Sequence, residues 1–375
     1  MKPIFVFNPE HDLALANGDR HYIPPKNIRE MARDLSHLLA EALSPASLAG
    51  SPASAAACRL QPWGWDYAVV EHFKKMGIPS EELPGDDALA SLSARSERAT
   101  AHHLLQAFLE EHPGDWYIGE SVLMHHTSDI DAYAKRHGHI LLKAPLSGSG
   151  KGLRHVNFGE KENVSDSKLE SWANALIHRH GYFTAEPFYT KATDFAMEFC
   201  ISASACHFIG YSLFNTDHHG RYIESRLMGD DAIEELLAQY LPIDAYHEVR
   251  RWVIAHWERI APVEWDTSRH PLCFGIDMMI VADDTRFRLH PCIEVNLRLN
   301  MGIVAHELYR HRLSSESRGV FRLAFFPDTQ ALRAFCAEQL RLHPALYLEG
   351  RLVRGYLPLT PIDEGTRHHA YILCE

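Results

Sequence analysis

One run, from Leu289 to Arg298, constrains the fold of this chain more than any other part of the sequence. Its polar residues Glu294, Asn296 and Arg298 fall on every second position, with apolar residues between them. In a β-strand, alternate side chains point to the same face of the sheet. The run therefore predicts a strand that presents a carboxylate, an amide and a guanidinium on one face.

A second apolar run, from Cys273 to Val281, carries a single acid, Asp277. It predicts a neighbouring strand that pairs with the first across a turn at residues 283–284. Pairing would bring Asp277 close to Glu294 and Asn296. Two carboxylates and an amide are oxygen ligands of the kind that Mg²⁺ takes, with water and phosphates completing its shell. We expect a metal site here, and a solvated polar strand face is the alternative.

A glycine-rich segment follows an apolar run that ends at Lys143. Glycines let backbone N–H groups approach phosphate oxygens closely, and a lysine adds a positive charge. The segment is not a Walker A loop, because Pro145 and Gly152 stand where that motif needs Gly and Ser or Thr. We interpret it as a phosphate-binding loop, although a flexible linker has the same composition. Its candidate contacts are Ser147, Gly148, Ser149, Gly150 and Lys151.

Together these motifs resemble those of the ATP-grasp superfamily, in content and in order along the chain. The resemblance covers about residues 90 to 312 and implies an α/β ATP-grasp fold behind a small N-terminal α/β domain. It implies that Lys143 contacts the nucleotide phosphates and that Arg98 is a second phosphate-binding cation. Arg98 departs from the lysine usual in the family, and it offers a planar fork instead of a point charge.

The resemblance also assigns an adenine site. Glu186 would lead a hinge whose backbone, at Pro187 and Phe188, pairs with the base. Asp194, eight residues after Glu186, would bind the ribose.

The same resemblance assigns the metal and the chemistry. Asp277, Glu294 and Asn296 would hold one or two Mg²⁺ or Mn²⁺ ions bridging the ATP phosphates. Arg298 would stabilise charge on the transferring group, which makes Arg298 and Lys143 the catalytic candidates.

Six further residues are candidate substrate contacts: Asn8, Glu10, Arg221, Arg226, Asn300 and Gly302. The first two follow the first predicted strand, at the carboxyl edge where open α/β sheets bind ligands, although helix capping explains such residues equally well. The arginines correspond to a basic side chain that faces the acceptor or the γ-phosphate in relatives. The last two follow Arg298 and would line the acceptor end of the site.

The implied reaction is activation of a carboxylate by ATP. A carboxylate oxygen attacks the γ-phosphate to give an acyl phosphate, and an amine, or less often a thiol, then displaces phosphate. The implied partners are a small-molecule carboxylate and an amine acceptor. One alternative is a small-molecule kinase on the same scaffold. Another is a non-catalytic ATP-binding protein, for which Arg98 leaves room.

The chain is expected to divide into four parts: residues 1–92 form the N-terminal α/β domain, 93–180 the small ATP-grasp subdomain with the glycine-rich lid, 181–312 the large subdomain with the metal site, and 313–375 a C-terminal extension without a functional interpretation. Apolar periodicity predicts these elements: a strand at 3–7, helices at 26–43, 229–261 and 329–340, a polar connection at 80–94, and strands at 321–326 and 346–357.

Composition excludes several function classes. A net charge of -12 with no cluster of basic residues argues against nucleic acid as a partner. Seven cysteines, odd in number and without a Cys-x-x-Cys pair, disfavour a disulfide framework and a zinc ribbon, and favour a reducing cytoplasm. No signal peptide is evident and no apolar run approaches about 18 residues, so no membrane is expected. A homodimer is compatible with the sequence.

Overall fold

The structure, a computed structural model, describes residues 3–43, 60–147, 152–160, 166–203, 205–216, 222–260, 265–282 and 286–375. Its α-helices are α1 His11–Asn17, α2 Lys26–Asp34, α3 Leu38–Ala42, α4 Tyr67–Lys75, α5 Asp86–Arg95, α6 Arg98–Glu111, α7 Asp129–His137, α8 Ser167–His180, α9 Asp230–Leu237, α10 Ile243–Ile260, α11 Met301–Arg312 and α12 Thr329–Leu342. Its strands are β1 Ile4–Val6, β2 Leu60–Pro62, β3 Val122–Met124, β4 His139–Lys143, β5 Leu153–Asn157, β6 Phe183–Pro187, β7 Lys191–Ser202, β8 Ala205–Thr216, β9 Tyr222–Leu227, β10 Leu272–Ala282, β11 Phe287–Asn296, β12 Gly319–Phe325, β13 Leu346–Leu348, β14 Arg351–Pro358 and β15 His368–Cys374. The predicted α/β class is confirmed.

The N-terminal part packs helices against a two-stranded parallel sheet, β1 with β2. The predicted helix at 26–43 is interrupted after Asp34, and the turn directs both Leu35 and Leu38 into the core. The prediction of a polar connection at 80–94 is wrong, because α5 lies there. Three residues spaced like one helix face, Ala88, Leu89 and Leu92, are buried beneath its polar side.

A small antiparallel sheet follows, with strand order β3-β6-β4-β5. Its buried face holds Met124, Ile140 and Phe183, and helices α7 and α8 cover that face. The carboxyl end of β4 therefore presents Lys143 at the margin of a rigid unit. This margin is where the glycine-rich segment begins, and residues 148–151 of that segment lie outside the described residues.

The large sheet has nine strands in the order β11-β10-β7-β8-β9-β12-β15-β14-β13, and its neighbouring strands run antiparallel. Helices α9 and α10 pack on one face, whereas α11 packs on the other. The predicted single helix at 229–261 is two helices. Pro242 directly precedes α10, and a proline is poorly tolerated inside a helix.

The C-terminal segment continues this same sheet through β12 and β15. The predicted strand at 346–357 is a hairpin of β13 and β14, because Glu349 and Gly350 both adopt positive φ in the turn. Sequence interpretation missed β15, which pairs with both β12 and β14. The four-part division of the chain stays a prediction.

Within the described residues, none of the helices has both the length and the apolar character needed to cross a bilayer.

Candidate functional site

The site is built on one face of the large sheet, where strand register sets the side chains in rows. Asp277 of β10 lies directly opposite Glu294 of β11, and Gly275 lies opposite Asn296. On the other side of β10, Gly275 lies opposite Glu198 of β7. The predicted antiparallel pair of strands is therefore present, and it brings the carboxylates together as cross-strand neighbours. The turn expected at residues 283–284 lies outside the described residues.

Proximity of the acids changes their protonation. The pKa of Asp277 is raised well above its usual range, first by removal from water and then by the charges of Glu294, Glu198 and Asp194. The amide Nδ2 of Asn296 donates to Asp277 Oδ2 at 3.4 Å. A bound cation would reverse this effect, since it favours the ionised carboxylate. The pair of acids with one amide therefore fits a divalent cation electrostatically.

The described residues contain no set of three or more His, Cys, Asp and Glu side chains that could hold a metal ion. Asp277 and Glu294 are the two predicted carboxylate ligands, with Asn296 as a third oxygen donor. Such a partial set suits Mg²⁺ or Mn²⁺, whose remaining positions water and phosphate oxygens fill.

Arg298 is fixed by an acid that sequence reasoning did not assign. Its Nε and Nη2 donate to the two oxygens of Asp12 at 3.1 and 2.8 Å, and Nη2 also donates to Asn296 at 3.0 Å. Its guanidinium carbon lies 5.8 Å from the ring centroid of Trp63. Burial alone would raise the pKa of Asp12, but the charge of Arg298 outweighs it and lowers the pKa. The loop after β1 thus orients Arg298.

Arg98 connects the small sheet with β11, the strand that carries Glu294. Its Nη2 lies 3.2 Å from Glu294 Oε1, and its Nε donates to the carbonyl of Ala144 at 3.0 Å. Ala144 directly follows Lys143, so this hydrogen bond links Arg98 to the backbone beside the second predicted phosphate-binding cation. Lys143 Nζ forms an ion pair with Glu186 Oε2 at 2.5 Å, and both residues are buried.

The remaining nucleotide candidates lie around this pair. Pro187 ends β6, and the half-exposed ring of Phe188 stacks on His139 with centroids 4.2 Å apart. Asp194 accepts from Lys191. The Ser147 hydroxyl is buried without a partner among the described residues. Gly148, Ser149, Gly150 and Lys151 lie outside the described residues.

A cavity of about 520 Å³ opens at these groups. Arg98, Ser147, Asp277, Glu294, Asn296 and Arg298 line its polar end. Two substrate candidates line it as well: Asn300 and Gly302, at the first turn of α11. The Asn300 side chain caps that helix by accepting the Ile303 N–H at 2.9 Å. The acceptor end of the site is therefore formed partly by a helix N-terminus, which favours anions.

The other substrate candidates lie elsewhere. Asn8 is buried and donates to the Gly64 carbonyl at 2.8 Å, which ties β1 to the loop after β2. Glu10 lines a separate cavity of about 450 Å³. Arg226 lines a third, of about 110 Å³, together with Asp194. Arg221 lies outside the described residues.

Glu198 is a site residue that sequence reasoning missed. It lines the cavity, and its side chain is buried. Its carboxylate accepts hydrogen bonds from Asn300 Nδ2 at 2.7 Å and from Ser212 Oγ at 3.0 Å. Burial raises its pKa to about 7, although these hydrogen bonds and the nearby His306 and Arg298 oppose the rise. Two glycines make room for it, since a Cβ on Gly275 or Gly302 would overlap its carboxylate.

The sequence does hold a signal for Glu198. It is a single acid at an alternate position of an apolar run, Phe195 to Phe199, as Asp277 is in its own run. Both acids face the same side of the sheet.

No family model matches this chain, and no curated protein does either. Solved structures do match. The ADP complex of PurK, N5-carboxyaminoimidazole ribonucleotide synthetase, is 13% identical, covers 100% of this chain and 93% of its own, and has a TM-score of 0.47. The β,γ-ATP complex of biotin carboxylase from Campylobacter jejuni is 12% identical, covers 84% and 70%, and has a TM-score of 0.47. The ADP complex of N5-carboxyaminoimidazole synthetase from Staphylococcus aureus is 14% identical, covers 74% and 67%, and has a TM-score of 0.43.

At these identities and TM-scores, the similarity says nothing about substrate or reaction. The assignment of fold rests on the chain itself: a small and a large antiparallel sheet, with sequence motifs from both meeting at one cavity. The chain therefore has an α/β fold.

Proposed function

We propose that this protein is an ATP- and Mg²⁺-dependent ligase, which activates a carboxylate as an acyl phosphate for attack by an amine. One observation carries the proposal. Three groups distant in sequence converge: Arg98, the Lys143–Glu186 pair, and the Asp277–Glu294 pair. The contacts of Arg98 with Ala144 and with Glu294 connect all three.

Asp277, Glu294 and Asn296 would hold the divalent cation. When bound, the cation would neutralise phosphate oxygens and stabilise charge on the transferring phosphoryl group. The elevated pKa of Asp277 supports this role, because burial and then the charge of Glu294 disfavour its ionised form, and a bound cation would favour it.

The chain's own cations would position the nucleotide. Lys143 is buried against Glu186 at the end of β4, and it would direct its charge to a phosphate of the bound nucleotide. Arg98 offers a planar fork to phosphate oxygens. Arg298, held by Asp12, presents a guanidinium of fixed direction to the reacting group. Such fixed charges act without reorganisation during the reaction.

Glu198 would accept the proton that the attacking amine releases. A base is most effective when its pKa lies near the working pH, and the pKa of Glu198 is about 7. In this step the C–N bond forms, the bond from carbon to the phosphate oxygen breaks, and the proton moves from nitrogen to Glu198.

Nucleotide binding is the first test. Mg-ATP at about 100 times its dissociation constant should stabilise the fold by roughly 2.7 kcal/mol, visible as a rise in melting temperature. Lys143→Met should reduce the rise with or without metal, since its contact is with phosphate. The matched control is Lys135→Met, an exposed lysine on α7. Melting curves that neither Mg-ATP nor Mg-ADP moves would refute the nucleotide assignment.

Reaction type is the second test. An acyl phosphate is electrophilic at carbon, so hydroxylamine should trap it as a hydroxamate during incubation with Mg-ATP and pools of small acids. Hydroxamate formed in step with ADP would establish carboxylate activation. A stable phosphorylated alcohol with no hydroxamate would favour the kinase.

A further inference from the structure

We propose that the activated acid carries an uncharged apolar tail, which lies in an arm of the main cavity built by α2 and the C-terminal segment. The inference rests on the proposed function, because it places the reacting carboxylate at the polar end. It goes beyond that function by naming the class of acid.

The lining of the cavity has two chemically different parts. Besides the polar groups it includes apolar side chains from two elements, Ile28 and Met31 of α2 as one wall and Leu323 and Phe325 of β12 as the other. These four side chains form what we call the apolar arm. The whole cavity has a volume of about 520 Å³, which is more than a bare carboxylate such as acetate needs. Sites of larger ligands usually have about 300–1,000 Å³.

A buried acid holds the two walls of the arm together. Asp34, at the end of α2, accepts the backbone N–H groups of Arg367 and His368 at 2.9 and 3.0 Å, and His368 Nδ1 lies 3.0 Å away. Burial alone would raise the pKa of Asp34, but these bonds and those from Arg33 outweigh it and lower the pKa. The walls are therefore fixed in position before a ligand arrives, which favours binding.

The ring of Phe325 is kept in the arm although it is 59% exposed. The guanidinium carbon of Arg367 lies 4.6 Å from its centroid, and the His368 ring lies 5.0 Å from it. Phe325 lines the cavity, and its contacts with Arg367 and His368 leave part of the ring open to a ligand. This face offers apolar area to a ligand.

Charge in the arm favours an uncharged tail. Besides Asp12, Arg98, Glu198, Asp277, Glu294 and Arg298, the titratable residues in the described lining of the cavity are His368, whose ring Asp34 bonds, and Tyr222, whose hydroxyl donates to Ser225 Oγ at 2.9 Å. The guanidinium of Arg367 lies over the Phe325 ring, and its Nη1 lies 3.9 Å from Glu30 Oε2. A second charge at the far end of the acid would therefore lose water without gaining a partner. The structure thus favours monocarboxylic acids with aliphatic or aromatic tails.

The test is a tail-length series titrated by calorimetry. Acetate, butyrate, hexanoate, octanoate and 3-phenylpropionate are each titrated into the full chain, without nucleotide and with Mg-ADP. Affinity should rise about fourfold per methylene until the arm is filled. Adipate should bind more weakly than hexanoate, because its second carboxylate would enter the arm. Affinities that do not depend on tail length, or no binding of any acid, would overturn the inference.

A pair of variants locates the binding. Phe325→Asp should lower the affinity for octanoate at least tenfold and leave the Mg-ADP affinity unchanged. Because Phe325 is exposed, the variant is expected to fold. Leu342→Asp is the control, because Leu342 is 49% exposed on α12 and does not line the cavity. An equal effect of both variants would overturn the inference.

The two proposals fail separately. Mg-ADP that binds while the acid series is flat sinks only the apolar arm. Acids that bind by tail length to a protein that never binds Mg-ADP sink the ligase and support the arm.

Discussion

Two groups of enclosed acids in this protein differ in how their charge is met. Asp34 accepts bonds from Arg33, Arg367 and His368, and Glu307 is engaged by Arg310 and His311 at 3.0 and 3.1 Å. For Asp277 and Glu198, by contrast, burial outweighs the favourable contacts and raises the pKa of both, and the charges of nearby acids add to the rise at Asp277. The first group joins elements of the fold. The second group stores electrostatic strain on the cavity face, which is where functional groups are expected.

The comparison teaches that burial alone does not identify a functional acid. What separates the groups is whether hydrogen bonds and positive charges outweigh the cost of removing the carboxylate from water. An acid whose contacts outweigh that cost stabilises the fold, whereas an acid whose contacts do not is favoured in the protonated form or beside a cation.

The largest expected effect is on stability at the matched acid. Asp34→Ala should lower the free energy of unfolding by about 3–5 kcal/mol, because it leaves the buried donors of Arg367 and His368 unpaired. Urea unfolding at pH 7 measures it. Glu364→Gln, an exposed acid in the nearby loop, should change stability by less than about 0.5 kcal/mol. A loss below about 1 kcal/mol for Asp34→Ala would contradict the statement that this acid stabilises the fold.

The opposite sign is expected at Glu198. Its folded pKa of about 7 lies above its ordinary value of 4.5, so ionisation opposes folding increasingly as pH rises through this window. Glu198→Gln should therefore stabilise the metal-free protein by on the order of 3 kcal/mol at pH 8. The gain should shrink towards pH 5, where the native carboxyl is protonated. Urea unfolding in EDTA at both pH values measures the difference.

Glu235→Gln, an exposed acid on α9, is the control and should show no such pH dependence. An equal gain at pH 5 and pH 8 would mean that the charge of Glu198 is not what strains the site.

The next prediction concerns how the nucleotide affinity of a Glu294 variant depends on Mg²⁺. Glu294→Gln keeps the shape of the side chain and removes its charge, so nucleotide affinity should fall about tenfold with Mg²⁺ present, or about 1.4 kcal/mol. In EDTA the loss should be much smaller. Calorimetry with ADP under both conditions measures the two affinities. A loss of the same size in EDTA would indicate that Glu294 acts chiefly through its ion pair with Arg98.

The smallest effect concerns an exposed acid that belongs to neither group. Asp328 caps α12 by accepting the Ala331 N–H at 2.8 Å. Asp328→Ala should cost about 1 kcal/mol of stability and leave ADP affinity unchanged. Thermal unfolding and calorimetry test the two halves of this statement. A changed ADP affinity would show that α12 is coupled to the site.

Site residues that lie close together along the chain could be predicted from the sequence, and those far apart could not. Asp277 and Glu294 lie on strands that are adjacent in sequence and in space, so alternation and a turn sufficed. Glu198 carried the same alternating signal, but its position depends on Gly275 and Gly302, which come from remote elements. Short-range periodicity holds no information about such packing.

The fold shows the same limit. Strands with strong alternation were predicted, whereas α5 was missed because acidic residues hide its short apolar face. β15 forms by pairing with β12 and β14, and Asp34 contacts it across 334 positions of the chain, which no local pattern encodes.

That contact also has a consequence for synthesis. Asp34 and His368 are separated by 334 positions. At about 5–20 residues per second, a ribosome would release α2 roughly 17 to 67 s before β15. During that interval Ile28 and Met31 lack the wall that later shields them, so the nascent chain presents an apolar helix face to chaperones. The binding cavity can close only late in synthesis, when the sheet's far strands arrive to meet a helix made long before.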